Sequence, residues 1–387
     1  MLSLGLLAIC MKRVIAITFL NYFVAGGLSL TIPLLLLERN VNLAEIGFII
    51  SILPLVFLFV RLLLAALADK LGWAPFFILL NWPGAFFSTL IYFLANSTPV
   101  FLFGKIIEAV KESSYWAVSR TAIFSLSPKQ KGKEATRILA FLSLSVAAGS
   151  AVSGLGIAYL GFSLTLGIMI IASSIMGIPA AMLWHTEKRD SKPKIPSAIA
   201  LLDPRGRSRT FWLVSFTMLF YSLALYPLTA LLLPVFMAQQ LGYDYVSIGM
   251  AFMLYSLITS SVAFGTLKTP LGIGRVAIQS LIALFATFLL ANSGIYFPAL
   301  FLALALANGL GLGFFESIIA KATENRATVS VDIGLLNIPM RLAEFSSVLS
   351  AGLVAQSLGY MPIFVASGIF FSAFSVLSLY ILKTRKS

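Results

Sequence analysis

HTEKRDSKPKIPSAIALLDPRGRSR, residues 185–209, is the one long stretch of this 387-residue chain that water would readily solvate. It carries Pro193, Pro196 and Pro204 and a run of charges from Glu187 to Lys194. On both sides the chain is apolar almost without interruption. Hydrophobic residues make up 59% and charged residues 11%, with a mean hydropathy of +0.99. A water-soluble domain carries about 25% charged residues. Hydrocarbon, not water, is therefore the solvent for most of this surface. An apolar run of about 20 residues crosses a bilayer as a helix, and a helix satisfies its own backbone there. The linker is read as the hinge between two groups of such runs.

Polar and turn residues mark twelve apolar segments. Six precede the linker, at 11–37, 44–68, 73–96, 98–126, 133–160 and 163–185. Six follow it, at 210–238, 246–267, 273–295, 297–323, 330–357 and 360–382. The expected architecture is an all-α membrane protein with twelve transmembrane helices in two six-helix bundles. The bundle boundaries are 1–185 and 210–387, with 186–209 as the linker. MLSLGLLAIC, residues 1–10, lacks the basic start of a signal peptide and reads as a leader to the first segment. A start at Met11 stays open.

Basic residues alternate from loop to loop. One set of loops holds Lys12, Arg13, Lys70, Lys129, Lys131, the linker, Lys268, Arg326 and Arg385; in the other set Arg39 is the clear case. That contrast follows the positive-inside bias and places both termini and the linker in the cytoplasm, in a cell membrane. It also explains the net charge of +13 without a nucleic-acid partner.

The two groups repeat each other. SLTIPLLLLERNVNLAEIGFIISI (29–52) aligns with TALLLPVFMAQQLGYDYVSIGMAF (229–252), so that Pro33 meets Pro234, Gly47 meets Gly249 and, further on, Gly72 meets Gly272. Parallel repeats of this kind place a solute site near the bilayer midplane between them.

These features resemble the major facilitator superfamily over the whole chain. AALADKLGWA (65–74) is similar to the family's loop motif in Asp69, Lys70 and Gly72, while Ala65 replaces its first glycine and its closing basic pair is absent. Lys105, Glu108 and Ala109 stand where the family has R-x-x-Q-G. AAGSAVSGLG (147–156) lacks the proline of the antiporter signature. The resemblance implies alternating access, a central cavity lined by segments one, four, seven and ten, and a gating role for Asp69 and Lys70.

Charged residues inside the segments mark the candidate site. Segment two has Arg61; segment four has Lys105, Glu108, Lys111, Glu112 and Arg120; segment ten has Glu316 and Lys321 and segment eleven Arg341 and Glu344. Segments three, six, nine and twelve have none inside and read as peripheral. A rise of about 1.5 Å per residue puts Glu108 about 15 Å from the end of its segment, close to midplane. Intramembrane carboxylates of this kind are candidate proton carriers, here Glu108, Glu112 and Glu344. The same spacings, Lys105–Glu108 and Arg341–Glu344 at i,i+3, also allow self-contained ion pairs. Arg61, Lys105, Lys111, Arg341, Asn21, Tyr221 and Tyr226 are candidate solute contacts. Arg120 and Glu316 are candidate gates. NGLGLGFF (308–315) reads as close helix packing.

There is one His and one Cys, so no metal cluster, disulfide or catalytic constellation is expected, and no cofactor. The expected function is that of a secondary transporter, not an enzyme. It moves a small organic solute, coupled to protons, with a lean to export by antiport, as a monomer in the bilayer. Import of an organic anion is the alternative, followed by a transport-inactive sensor or a lipid scramblase.

Overall fold

Inside hydrocarbon no water satisfies a free N–H or C=O, and a helix closes all of these bonds within one segment. A computed structural model describes residues 4–126, 131–183, 207–266, 269, 271–323 and 329–383, and among them every long element is helical. The elements are α1 (Leu4–Glu38), α2 (Leu43–Leu71), α3 (Ala74–Leu94), α4 (Thr98–Leu126), α5 (Lys131–Ala181), α6 (Arg209–Gln239), α7 (Tyr245–Gly265), α8 (Ile273–Leu290), α9 (Phe297–Thr323), α10 (Val329–Leu358) and α11 (Met361–Lys383). Ten of these regions are long and apolar enough to cross a membrane. The exception, α4, holds four of the buried charged residues, Lys105, Glu108, Lys111 and Glu112.

Eleven continuous helices stand where twelve segments are expected, because the fifth and sixth run together as α5. Gly161 breaks it, with φ 78 and ψ 172. Its two arms fold back on each other: a Cβ on Gly156 would sit 2.7 Å from Thr165 Oγ1. In a straight helix those residues would be about 13 Å apart. The conformation of Gly161 is open essentially to glycine alone. A Cβ there would meet no atom within 4 Å, so any penalty comes from the backbone itself. Gly161→Ala is expected to cost about 1–3 kcal/mol, read as a lower unfolding midpoint of the purified protein. An unchanged midpoint would mean that the turn re-forms at another residue.

Two helices contain a π turn, Phe77–Asn81 in α3 and Leu228–Leu232 in α6. Each comes just before a proline, Pro83 or Pro234. Proline lacks an N–H and crowds the carbonyl four residues back, so the ladder shifts by one residue there. In α3 this turns Asn81 inward.

α1–α5 and α6–α11 meet along two seams, α2 against α10 and the first arm of α5 against α7. Both seams close on paired glycines. A Cβ on Gly47 would lie 3.1 Å from Gly352 Cα, and one on Gly249 would lie 2.7 Å from Gly154 Cα. Such bare positions let helices approach closely where lipid supplies no hydrophobic drive. Gly47 and Gly249 are the repeat-matched pair, and they do the same job in opposite seams.

All four glycines lie within about two turns of the end that carries the α1–α2, α6–α7 and α10–α11 turns, here called the far end. Further contacts tie that end. Tyr245 Oη donates to Glu38 (3.0 Å), Ala44 N donates to Gln356 Oε1 (3.1 Å), and the last turns of α1 pack on those of α6. Among the described residues α4 and α9 build no comparable seam. The far end is therefore the closed end. The segments read as peripheral do face outward: α8 exposes Leu281 and Phe285, and α11 exposes Ile369 and Val376.

Candidate functional site

Gly104 on α4 leaves room for the Tyr92 ring of α3, whose Cε1 would lie 2.5 Å from a Cβ at that position. Tyr92 Oη then donates to Glu108 Oε2 at 2.6 Å. Lys105, one turn earlier, donates to the same oxygen at 2.8 Å, with its ammonium 5.5 Å from the Tyr92 ring centre. Lys105 and Glu108 are 4% and 5% exposed, so the pair stands largely out of solvent. The other oxygen, Oε1, makes no hydrogen bond among the described residues.

α10 repeats the pattern. Arg341 Nη1 donates to Glu344 Oε2 at 2.5 Å, again across i,i+3, and Ser222 of α6 donates to Glu344 Oε1 at 3.2 Å. The Arg341 guanidinium lies 4.0 Å from the ring centre of Phe57 on α2, with Arg61 at 5.5 Å. Arg341 thus holds a carboxylate on its own helix and an aromatic face across the seam.

Glu108 and Glu344 both line one cavity of about 400 Å³, bounded by α1, α2, α4, α5, α6, α7, α9 and α10. Lys105, Tyr221, Tyr226, Tyr255 and Asn308 also line it, over apolar walls that include Pro33, Leu53, Phe252 and Met340. Tyr221 Oη donates to Asn308 Oδ1 (2.9 Å) and Asn308 Nδ2 donates to Tyr255 Oη (3.1 Å). The amide is thereby fixed. Tyr255 keeps its proton to donate, and Tyr221 keeps lone pairs to accept. Two balanced ion pairs beside neutral donors and acceptors suit a small solute with few charges.

Of the candidates named from the sequence, Lys105, Glu108, Glu344, Tyr221 and Tyr226 line this cavity. Six other candidates do not line this cavity, Glu112 among them. Lys111 is fully buried and packs on Gly84 of α3, with its ammonium 2.7 Å from Glu112. The angles there make no hydrogen bond, so the attraction is one of charge alone. Asn21 faces α3, where Asn81 Nδ2 donates to it at 3.1 Å, and Arg61 and Arg341 stay behind the Phe57 ring. Glu316 is exposed on α9. The side chains of Asp69, Lys70 and Arg120 lie outside the described ones.

Tyr92, Ser222, Tyr255 and Asn308 escaped the sequence reading. Asn308, a lone amide opening an apolar glycine run, carried a signal. The K-x-x-E and R-x-x-E pair, one per group of helices, was a second. Arg207, partly buried, and Asp332, fully buried, lie 2.8 Å apart and form a further pair away from the cavity. The run 308–315 does pack closely: a Cβ on Gly309 would lie 2.6 Å from Thr259 O.

A sequence model of the major facilitator superfamily matches residues 14–328. The chain belongs to this superfamily. Two solved structures share its fold. The crystal structure of the human organic anion transporter MFSD10 (TETRAN) aligns with a TM-score of 0.72 at 16% identity, covering 97% of this chain and 99% of that one. The crystal structure of the nucleoside transporter NupG aligns with a TM-score of 0.71 at 13% identity, covering 97% and 100%. No curated protein matches the sequence. The superfamily makes the chain a multi-pass membrane transporter of small solutes and not an enzyme.

Proposed function

We propose that this transporter couples the movement of a small, largely uncharged organic solute to protons, by alternating access around the cavity between α1–α5 and α6–α11. The observation that carries the reading is the pair of buried carboxylates on one cavity, each held by a cation one turn earlier on its own helix. A carboxylate in low dielectric gains a proton easily once its cation moves, and loses it when the cation returns. Motion of α4 or α10 supplies that switch.

On this reading the chain crosses the membrane twelve times, with the arms of α5 counted separately and α4 crossing despite its charges. Residues 1–185 and 210–387 are the two moving bundles. The basic loops support an orientation with both termini in the cytoplasm, in which the closed far end faces outward and the cavity communicates with the cytoplasm. Such a state loads solute for export, with protons entering in exchange. Organic-anion import has less support, because Lys105 and Arg341 are both committed to carboxylates.

The test uses proteoliposomes under an imposed pH gradient, with uridine, a lipophilic dye and benzoate as neutral polar, amphipathic and anionic probes. A pH-sensitive dye reports proton flow. Gradient-driven flux of a neutral probe with matching proton movement is expected. Flux of any probe that ignores the gradient would remove the coupling, and flux of benzoate alone would favour the anion reading.

A further inference from the structure

At the far end a second cavity of about 630 Å³ lies across the junction of the two groups of helices, with the α1–α2 turn on one side and the ends of α6, α8 and α10 on the other. Small-molecule sites span about 300–1,000 Å³. Six carboxamides face it, Asn40, Asn42, Gln239, Gln240, Asn292 and Gln356, and no lining side chain carries a charge. The left-handed turn at Asn40, φ 58, is one that Asn tolerates better than most residues.

The hydrogen-bond inventory of these amides is lopsided. Asn42 Oδ1 accepts from Glu45 N (2.9 Å), Gln356 Oε1 from Ala44 N (3.1 Å) and Gln239 Oε1 from Tyr360 Oη (3.0 Å). Their oxygens are used, and their NH2 groups remain. Asn40, Gln240 and Asn292 make no side-chain hydrogen bond among the described residues, so both ends of each amide are available. Donors therefore outnumber acceptors, and neither sign of charge is present to balance an ion. Beneath them lie Phe236 and Tyr360, packed edge to face at 5.0 Å and both buried. Hydroxyl groups accept and donate at once, and a ring of C–H groups lies well on an aromatic floor.

We propose that this groove binds a neutral polyhydroxylated group, a free sugar or the sugar head of a glycolipid, and that the bound sugar holds the far end shut by bridging Asn40 and Asn42 to the α6 and α8 amides. The inference is independent of proton coupling, since none of these residues lines the central cavity.

The experiment uses the full chain in phosphatidylcholine nanodiscs, purified without glucoside or maltoside detergents, whose heads would fill the site. Maltose is titrated and followed by saturation-transfer NMR. Saturable binding is expected with a Kd of about 1–10 mM, weakened at least about tenfold by Gln240→Leu with Asn292→Leu. Both positions are exposed, so the fold should tolerate the changes. In a second arm the discs contain a diglucosyl diacylglycerol. Spin labels on Asn96→Cys and Ile295→Cys, exposed positions outside the groove in a background with Cys10 replaced, then report whether the far end closes further, and closure that the double variant abolishes also supports the proposal. Binding to the glycolipid alone would assign the lipid head as the source, and binding of maltose would assign a free sugar. The proposal falls if neither arm shows binding or closure, if the double variant binds as well as the parent, or if citrate binds as well as maltose.

Discussion

Glu108→Gln is expected to abolish solute accumulation driven by a pH gradient, a loss of at least about 100-fold, or about 2.7 kcal/mol of driving. Glutamine keeps the volume and the acceptor oxygen that Tyr92 uses, but it cannot take up or release a proton. The change also leaves the Lys105 ammonium without its carboxylate in a site that is 4% exposed. Breaking a buried pair by removing one partner costs about 3–5 kcal/mol, whereas removing both charges can be nearly neutral. Two readouts are thus needed. The single variant should lose both thermal stability and coupling. Lys105→Gln combined with Glu108→Gln should regain most of the stability and none of the coupling. If pH-driven flux survives in the folded double variant, Glu108 carries no proton. Glu344→Gln measured in parallel then shows whether the carboxylate of α10 does so instead.

The second large effect is expected at the glycine seams. A Cβ on Gly249 would lie 2.7 Å from Gly154 Cα and 2.8 Å from Ser150 O, all of it backbone that no rotamer change can move. Alanine there should force α5 and α7 apart at the far end. Overpacking of this kind costs about 1–3 kcal/mol, and it is charged only to the state with a closed far end. The ratio of closed to open forms should therefore fall by about 5- to 150-fold. Spin labels at positions 40 and 292 should report a longer distance, in a background where the single native cysteine, Cys10, is replaced. Transport should drop at least about tenfold, while secondary structure and yield stay as in the parent. An unchanged distance with a lower unfolding midpoint would mean that the seam is static packing and takes no part in gating.

Most of the architecture was legible because lipid leaves a chain few options. Segment ends read from polar breaks agree with the helices to within a few residues for most elements. The gap at 161–162 found the one break hidden inside a continuous helix. The polar breaks at 96–98 and after 126 also marked α4, although it is less apolar than the other ten. For the site, periodicity found what one helix can decide. Lys105 with Glu108 and Arg341 with Glu344 are neighbours by spacing. It could not find what a second helix decides. Lys111 shares a face with Glu108 on paper, yet Gly84 of α3 offers it a slot and draws it away from the cavity. Arg341 stays out because Phe57, nearly 300 residues earlier, offers its ring. Tyr92 and Ser222 reach their carboxylates from other helices, a relation that no local spacing encodes.

The Phe57 ring gives Arg341 two attractions of unlike kind. One is to a full charge on its own helix, the other to an aromatic face on the opposite group of helices, worth about 0.5–2 kcal/mol. Neutralising Glu344 weakens the first and frees the guanidinium to settle more closely on the ring. Under proton coupling, a proton reaching the cavity would thus be registered as a firmer grip across the α2–α10 seam before any helix has moved. A chemical event inside one group of helices would be converted into adhesion between the two.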